Sequence, residues 1–238
     1  MITVKEVSIR FASVLAVDNI SITLQDGKLY GIVGPNGAGK STLIRAMVGM
    51  ISDYSGEILY DGLSLENNRR VLKGTIGYAP EDTELMPFLT GQEYLHMLAD
   101  IRKIAEFKID INNLLEQLGL QEVKDIIIGR YSHGMRQKLS LAAALIGSPK
   151  NILLDEALNG LDPISMFNIK NTLEGLANKG HIIVFSSHIL ELVEDLSHKI
   201  IILNRGKLIA QLSHSEIQNM KNKQGKGLND YFVELVQP

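Results

Sequence analysis

Apolar positions change their rhythm twice along the chain. Over the first 62 residues they alternate, or run together in short stretches, with the period of strands. "ITVKEVSI" and "ISITLQ" read as two strands, and "QDGK" places Asp26-Gly27 at a tight turn before the strand "KLYGIVG". "GEILYDG", residues 56–62, predicts a further strand closing on Asp-Gly. Residues 40–50 predict a helix entered from a glycine-rich loop.

The middle third takes a helical period. "TGQE", residues 90–93, is a capping box, followed by Tyr94, Leu98, Ile101 and Ala105 on one face. "DINNLLEQLG" predicts a second helix. Asp110 can cap it, Ile111, Leu114, Leu115 and Leu118 form its stripe, and Gly119 ends it. A third helix begins at Ser132, with Met135, Leu139, Ala142, Ala143 and Ile146 facing one way, and stops at "GSP".

From Asn151 strand and helix alternate: "NILLDE", "DPISMFNIKNTLEGLANKG", "HIIVFSS" and "HILELVEDL". Apolar strands separated by helices indicate a parallel sheet. "KIIILNRGKLIAQ" predicts a hairpin across residues 204–206, and the tail one short helix capped near Asn229 or Asp230. The expected architecture is a single α/β domain. Residues 1–83 and 149–238 form its core, and residues 84–148 form a helical insert.

Composition narrows the setting. The chain has 238 residues, 45% apolar and 21% charged, enough to bury a core without staples. A net charge of −3 without a long basic tract gives no reason to expect a nucleic-acid partner. The absence of cysteine excludes disulfides and thiolate metal sites. "MITVKEVSIRF" lacks the apolar core of a signal peptide, and no apolar run approaches the roughly 18 residues of a membrane helix. The chain is expected not to cross a membrane by itself.

Two stretches carry chemistry. "GPNGAGKS", residues 34–41, matches G-x-x-x-x-G-K-[ST] between an apolar strand and a helix. Gly34, Pro35, Asn36, Gly37, Ala38 and Gly39 would bend the backbone so that N–H groups converge on an anion. The helix start, with Lys40, Ser41 and Thr42, adds roughly half a positive charge. Lys40 can reach the outer phosphates of a nucleotide, and the Ser41 hydroxyl can ligate Mg²⁺. "ILLDE" carries Asp155 to the end of a buried strand, the place of a Mg²⁺-holding aspartate in a P-loop protein. Glu156 follows, where a carboxylate can orient and deprotonate a water. The cradle alone leaves kinase, GTPase and ATPase open.

Six segments occur in order: "GPNGAGKST", "IGYAPE", "YSHGMRQKL", "ILLDE", "NGLDP" and "SSH". Together they resemble an ATP-binding-cassette (ABC) nucleotide-binding domain over nearly the whole chain. The resemblance implies a P-loop NTPase core, an N-terminal antiparallel β subdomain and a helical subdomain. It also implies ATP with Mg²⁺, and two copies of the chain meeting head to tail. Ser132 and Gly134 would then reach the γ-phosphate held in the opposite cradle, while Ser132 also caps its own helix. His188 corresponds to the family's switch histidine, Asp162 to the aspartate linking the two sites, and Phe11 to the aromatic that stacks on adenine.

Two departures stand out. Tyr131, His133 and Met135 replace three residues of the usual "LSGGQ", and Glu81 stands where a glutamine usually contacts Mg²⁺ and water. A glutamate there could ligate the metal and assist catalysis. The resemblance further implies a separate integral membrane permease, docked near residues 81–89, and a peripheral place on the cytoplasmic membrane face. The sub-motifs resemble the exporter branch. The alternative is a soluble ABC-type ATPase of cofactor assembly or nucleic-acid maintenance.

Overall fold

A computed structural model describes residues 1–104, 111–224 and 227–236. The chain opens with β1 (Ile2–Phe11), β2 (Val14–Leu24) and β3 (Lys28–Val33), then α1 (Lys40–Met47), β4 (Ser55–Tyr60) and β5 (Leu63–Ser64). Next come α2 (Arg69–Lys73), β6 (Ile76–Ala79), α3 (Gly91–Ile101), α4 (Ile111–Gln117) and α5 (His133–Leu145). β7 (Asn151–Asp155), α6 (Pro163–Asn178), β8 (Ile182–Ser186), α7 (Leu190–Leu196), β9 (Lys199–Asn204) and β10 (Lys207–Ser213) follow, and α8 (His214–Gln224) and α9 (Leu228–Val236) close the order.

The strands form two sheets. One is antiparallel, in the order β2-β1-β4-β5, and the other runs β10-β9-β3-β8-β7-β6. All pairs in the second are parallel except β9 with its edge strand β10. Period-two alternation divides the parallel strands between two apolar layers. Ile182 and Val184 of β8 join α1 (Leu43, Ile44, Met47) and the antiparallel sheet. Ile183 and Phe185 point the other way, toward α5 and α6. Each fully buried aliphatic side chain in these layers contributes about 2 kcal/mol relative to exposure.

The turn residues act as their types predict. Asp61 and Gly62 both take positive φ (50° and 83°), the mirror turn that joins β4 to β5. Arg205 and Gly206 (49° and 79°) do the same between β9 and β10. Between β6 and β7 the described regular elements are helical, apart from one isolated bridge between Thr90 and Ile127. α5 lies against β6 so closely that a Cβ at Gly77 would stand 1.9 Å from the Ala144 carbonyl oxygen. Among the described residues no helix is long and apolar enough to cross a membrane.

Several expectations shift. β2 starts at Val14, earlier than "ISITLQ", because "VLAVDN" pairs with β1 despite its weak alternation. α1 ends at Met47, and Gly49 at φ 75° turns the chain away. In α3 the buried stripe is Gly91, Leu95 and Ala99, while Ile101 is exposed. The stripe turned because Tyr94 and Leu98 only edge the core, and Ala105 lies outside the described residues. Asp110 also lies outside them, but Ile111, Leu115 and Leu118 are buried and Gly119 takes φ 65° as the helix ends. The tail holds two helices. α8 has a polar surface on which, among the described residues, only Ile217 is completely buried. α9 starts at Leu228, and Asp230 sits inside it, accepting the Gly227 N–H at 3.0 Å.

The capping box at α3 is complete. Thr90 Oγ1 accepts the Glu93 N–H at 3.2 Å, and Glu93 Oε2 accepts the Thr90 N–H at 2.8 Å. Thr90→Ala is expected to cost about 1 kcal/mol, read as a lower midpoint in urea unfolding with an unchanged slope.

Candidate active site

The glycine loop is wedged between two strands. A Cβ at Gly34 would lie 2.3 Å from the Leu203 carbonyl oxygen, and one at Gly39 would lie 2.4 Å from that of Ala16. Gly39 is also the N-cap of α1, at φ 99°. Only glycine satisfies both positions. The loop faces a cleft of about 550 Å³ lined by Asn36, Gly37, Ala38, Gly39, Lys40, Ser41, Thr42, Glu81, Glu156 and His188. Gly34 and Pro35 do not line it. Their carbonyl oxygens accept hydrogen bonds from Lys40 Nζ, at 2.9 and 3.3 Å. The lysine thus arches back over its own loop, almost wholly buried.

Asp155 ends β7 with no exposed surface. Its Oδ1 accepts the Ser41 and Ser186 hydroxyls, each at 2.8 Å. Its Oδ2 is buried without a hydrogen-bond partner, with Arg45 Nε 3.9 Å away. Burial raises the carboxyl pKa, against the lowering effect of the two hydroxyls. An orphaned carboxylate oxygen beside a serine hydroxyl fits a hard divalent cation. Among the described residues no group of three His, Cys, Asp or Glu could hold a metal, so a cation here would take further oxygens from its ligand.

Glu156 follows in the left-handed region at φ 52°. A residue with a Cβ rarely adopts it, at a cost of about 1–2 kcal/mol. The kink turns the side chain out of the strand. Oε2 lies 3.0 Å from His188 Nδ1 and 3.1 Å from Asn159 Nδ2, and Oε1 lies 3.7 Å from Lys40 Nζ. Glu81 faces them from the loop after β6. Partial burial of its carboxyl, then the charges of Glu156 and Asp155, raise its pKa.

Three partners escaped the sequence reading. Asn159 Nδ2 stands 3.1 Å from both Glu156 Oε2 and His188 Nδ1, while its Oδ1 accepts the Ser187 hydroxyl at 2.6 Å. Ser186 Oγ accepts the Glu156 N–H at 3.0 Å. Gln137 Nε2 donates to the Glu156 carbonyl at 3.3 Å. Asn159 opens "NGLDP", the segment in which the family resemblance singles out Asp162.

Besides Gly34, Pro35 and Asp155, four further candidates do not line the cleft. Phe11 ends β1 half-exposed, opposite Val14, so it is not a core aromatic. Ser132 caps α5 by accepting the Met135 N–H at 3.2 Å, and a Cβ on Gly134 would look toward the Gly160 carbonyl at 4.0 Å. Asp162 caps α6 through the N–H groups of Ile164 and Ser165, at 3.1 and 3.0 Å. The Lys138 ammonium, then bonds from Ser165, hold its pKa well below the ordinary carboxylate range. Of the departures from the usual motif, Tyr131 is buried and donates to the Val123 carbonyl, whereas His133 is exposed.

A family profile described as "ABC transporter" matches residues 17–159. The ABC transporter ATP-binding protein YhcH of Bacillus subtilis is 37% identical over 93% of this chain and 71% of its own length. The bacitracin transport ATP-binding protein BcrA of Bacillus licheniformis is 35% identical over 90% of this chain and 70% of its own. A solved ATP-binding subunit of an ABC transporter superposes with a TM-score of 0.91 at 26% identity, covering 99% of both chains. The chain belongs to the ABC transporter family, as an ATP-binding and ATP-hydrolysing subunit.

Proposed function

We propose that two copies of this chain close head to tail around two ATP molecules and drive a separate membrane permease that exports its cargo. The observation that carries this reading is the split of the machinery. The cradle, Glu156 and His188 share one cleft, while Ser132 and Gly134 sit outside it. A capped helix start set apart from its own cradle suits the γ-phosphate of a second copy.

In that dimer Asn36 to Thr42 hold the phosphates through backbone N–H groups, and Lys40 turns from its own carbonyls to the outer phosphates. The Ser41 hydroxyl and Asp155 Oδ2, with Glu81 at the rim, would hold Mg²⁺, which supplies charge neutralisation for the leaving phosphate. Glu156 takes a proton from the attacking water, and His188 holds the γ-phosphate beside it. Asp162 meets its counterpart's site across the interface, and Phe11 stacks on adenine. Residues 84–148 act as the helical subdomain, and the permease docks near residues 81–89 at the cytoplasmic membrane face. The transport names of its relatives favour this over the soluble-ATPase alternative.

Ser132→Ala tests the shared site. It removes one hydroxyl from a charged phosphate, so ATPase activity is expected to fall about tenfold to a hundredfold. ATP affinity of the isolated monomer should stay within twofold. Loss of monomer binding would mean that the helix serves its own cradle.

A further inference from the structure

We propose that Gln137 is a positioning residue: it ties the signature helix to the backbone of Glu156 and thereby couples the two ATP sites. The proposal rests on the reading of Glu156 as the base and of Ser132 as a contact made across the dimer.

Gln137 lies five residues after Ser132 on α5 and is almost fully buried, at 6% exposure. A buried amide needs partners, and this one meets the loop that carries the carboxylate. Nε2 donates to the Glu156 carbonyl at 3.3 Å, which also accepts the Asn159 N–H at 3.2 Å. Oε1 presses on Gly160, where a Cβ would stand only 2.0 Å away. The bare glycine is what lets the amide reach the carbonyl.

Glu156 needs such holding. Its φ of 52° is one that L residues rarely adopt, and it persists only where neighbours fix both sides of the residue. Ser186 holds its N–H, and Gln137 with Asn159 holds its carbonyl. Ser186 and Asn159 belong to the core that carries Glu156. Gln137 belongs to α5, whose N-terminus bears Ser132 and Gly134. A helix is stiff over five residues. When that end meets a phosphate held by the second copy, its displacement reaches the Glu156 carbonyl through one amide. One subunit's grip on the neighbouring nucleotide thus sets the aim of the carboxylate over its own.

The test is a double-mutant cycle on the full chain with Gln137→Ala, Gly160→Ala and the pair. Each single variant is expected to lower kcat about tenfold or more, as a small misplacement of a catalytic group does. ATP affinity of the monomer should stay within twofold, and the Hill coefficient for ATP should fall towards one, the value of independent sites. The double variant should be no slower than Gln137→Ala, because the new methyl fills space that the amide has left. Additive losses, or wild-type kcat and cooperativity in a folded Gln137→Ala, would overturn the proposal. Should Gln137→Ala not fold, Gln137→Met keeps the volume without the donor and carries the same expectations for kcat, monomer affinity and Hill coefficient as a single variant. Glu156→Gln run alongside separates the two readings. If it forms no dimer in Mg-ATP, the shared-site function fails. If it dimerises while Gln137→Ala turns over normally, only the coupling fails.

Discussion

Glu156→Gln is expected to stop ATP turnover while leaving ATP binding intact, and to yield a dimer that survives gel filtration in Mg-ATP. The substitution is nearly isosteric. The glutamine can still accept from Asn159 Nδ2, now 3.1 Å from Oε2, and the backbone clamp on residue 156 is untouched. What disappears is the proton acceptor. Loss of a positioned general base lowers kcat by about 10²–10⁴. The dimer accumulates because each nucleotide is gripped from both subunits and nothing cleaves the bond that releases them. Turnover by colourimetric phosphate assay and mass by light scattering read the two halves separately. Ordinary hydrolysis would remove Glu156 from the role of base. A dead but monomeric variant would leave the base and remove the shared nucleotide.

The cleft was legible in the sequence wherever local rules fix geometry. Gly34 and Gly39 sit where a Cβ would strike Leu203 and Ala16, so the glycine spacing of the loop carries its own steric reason. Asp155 could be placed because the apolar run Ile152–Leu154 buries β7 and delivers Asp155 to the strand end. Glu156, Asn159 and Gln137 show where such rules stop. The left-handed turn at Glu156 has no glycine to announce it, and of the amides that hold it one comes from another helix and the other from three residues further along the same turn. Neither spacing nor periodicity encodes a contact between residues 137 and 156. The α3 stripe failed for a related reason. Tyr94 and Ile101 fit a helical period, but packing against α5 selected the neighbouring face of Leu95 and Ala99. α8 offered too few apolar positions for a period to form, since its anchoring rests on Ile217 with Met220 beside it.

Lys40→Met is expected to fail one step earlier, at binding. The ammonium is 5% exposed, bonded to the carbonyls of Gly34 and Pro35 and 3.7 Å from Glu156 Oε1. It is therefore kept at the loop, one turn of its side chain from the phosphates. Charged hydrogen bonds contribute about 1.5–3 kcal/mol each, so its loss against two phosphates corresponds to about a hundredfold weaker ATP binding or more. Lys40→Arg is no rescue, because a planar guanidinium cannot fold onto two loop carbonyls as a compact ammonium does. Isothermal titration of the monomer measures the loss. Affinity within threefold of wild type would show that the backbone N–H groups hold the nucleotide unaided. The two substitutions also combine. If ATP is what joins the subunits, Lys40→Met must cancel the dimer that Glu156→Gln traps, and the double variant should run as a monomer at ATP concentrations that saturate Glu156→Gln. A double variant that binds no ATP yet stays dimeric would place the holding contacts in the protein surfaces instead of the nucleotide.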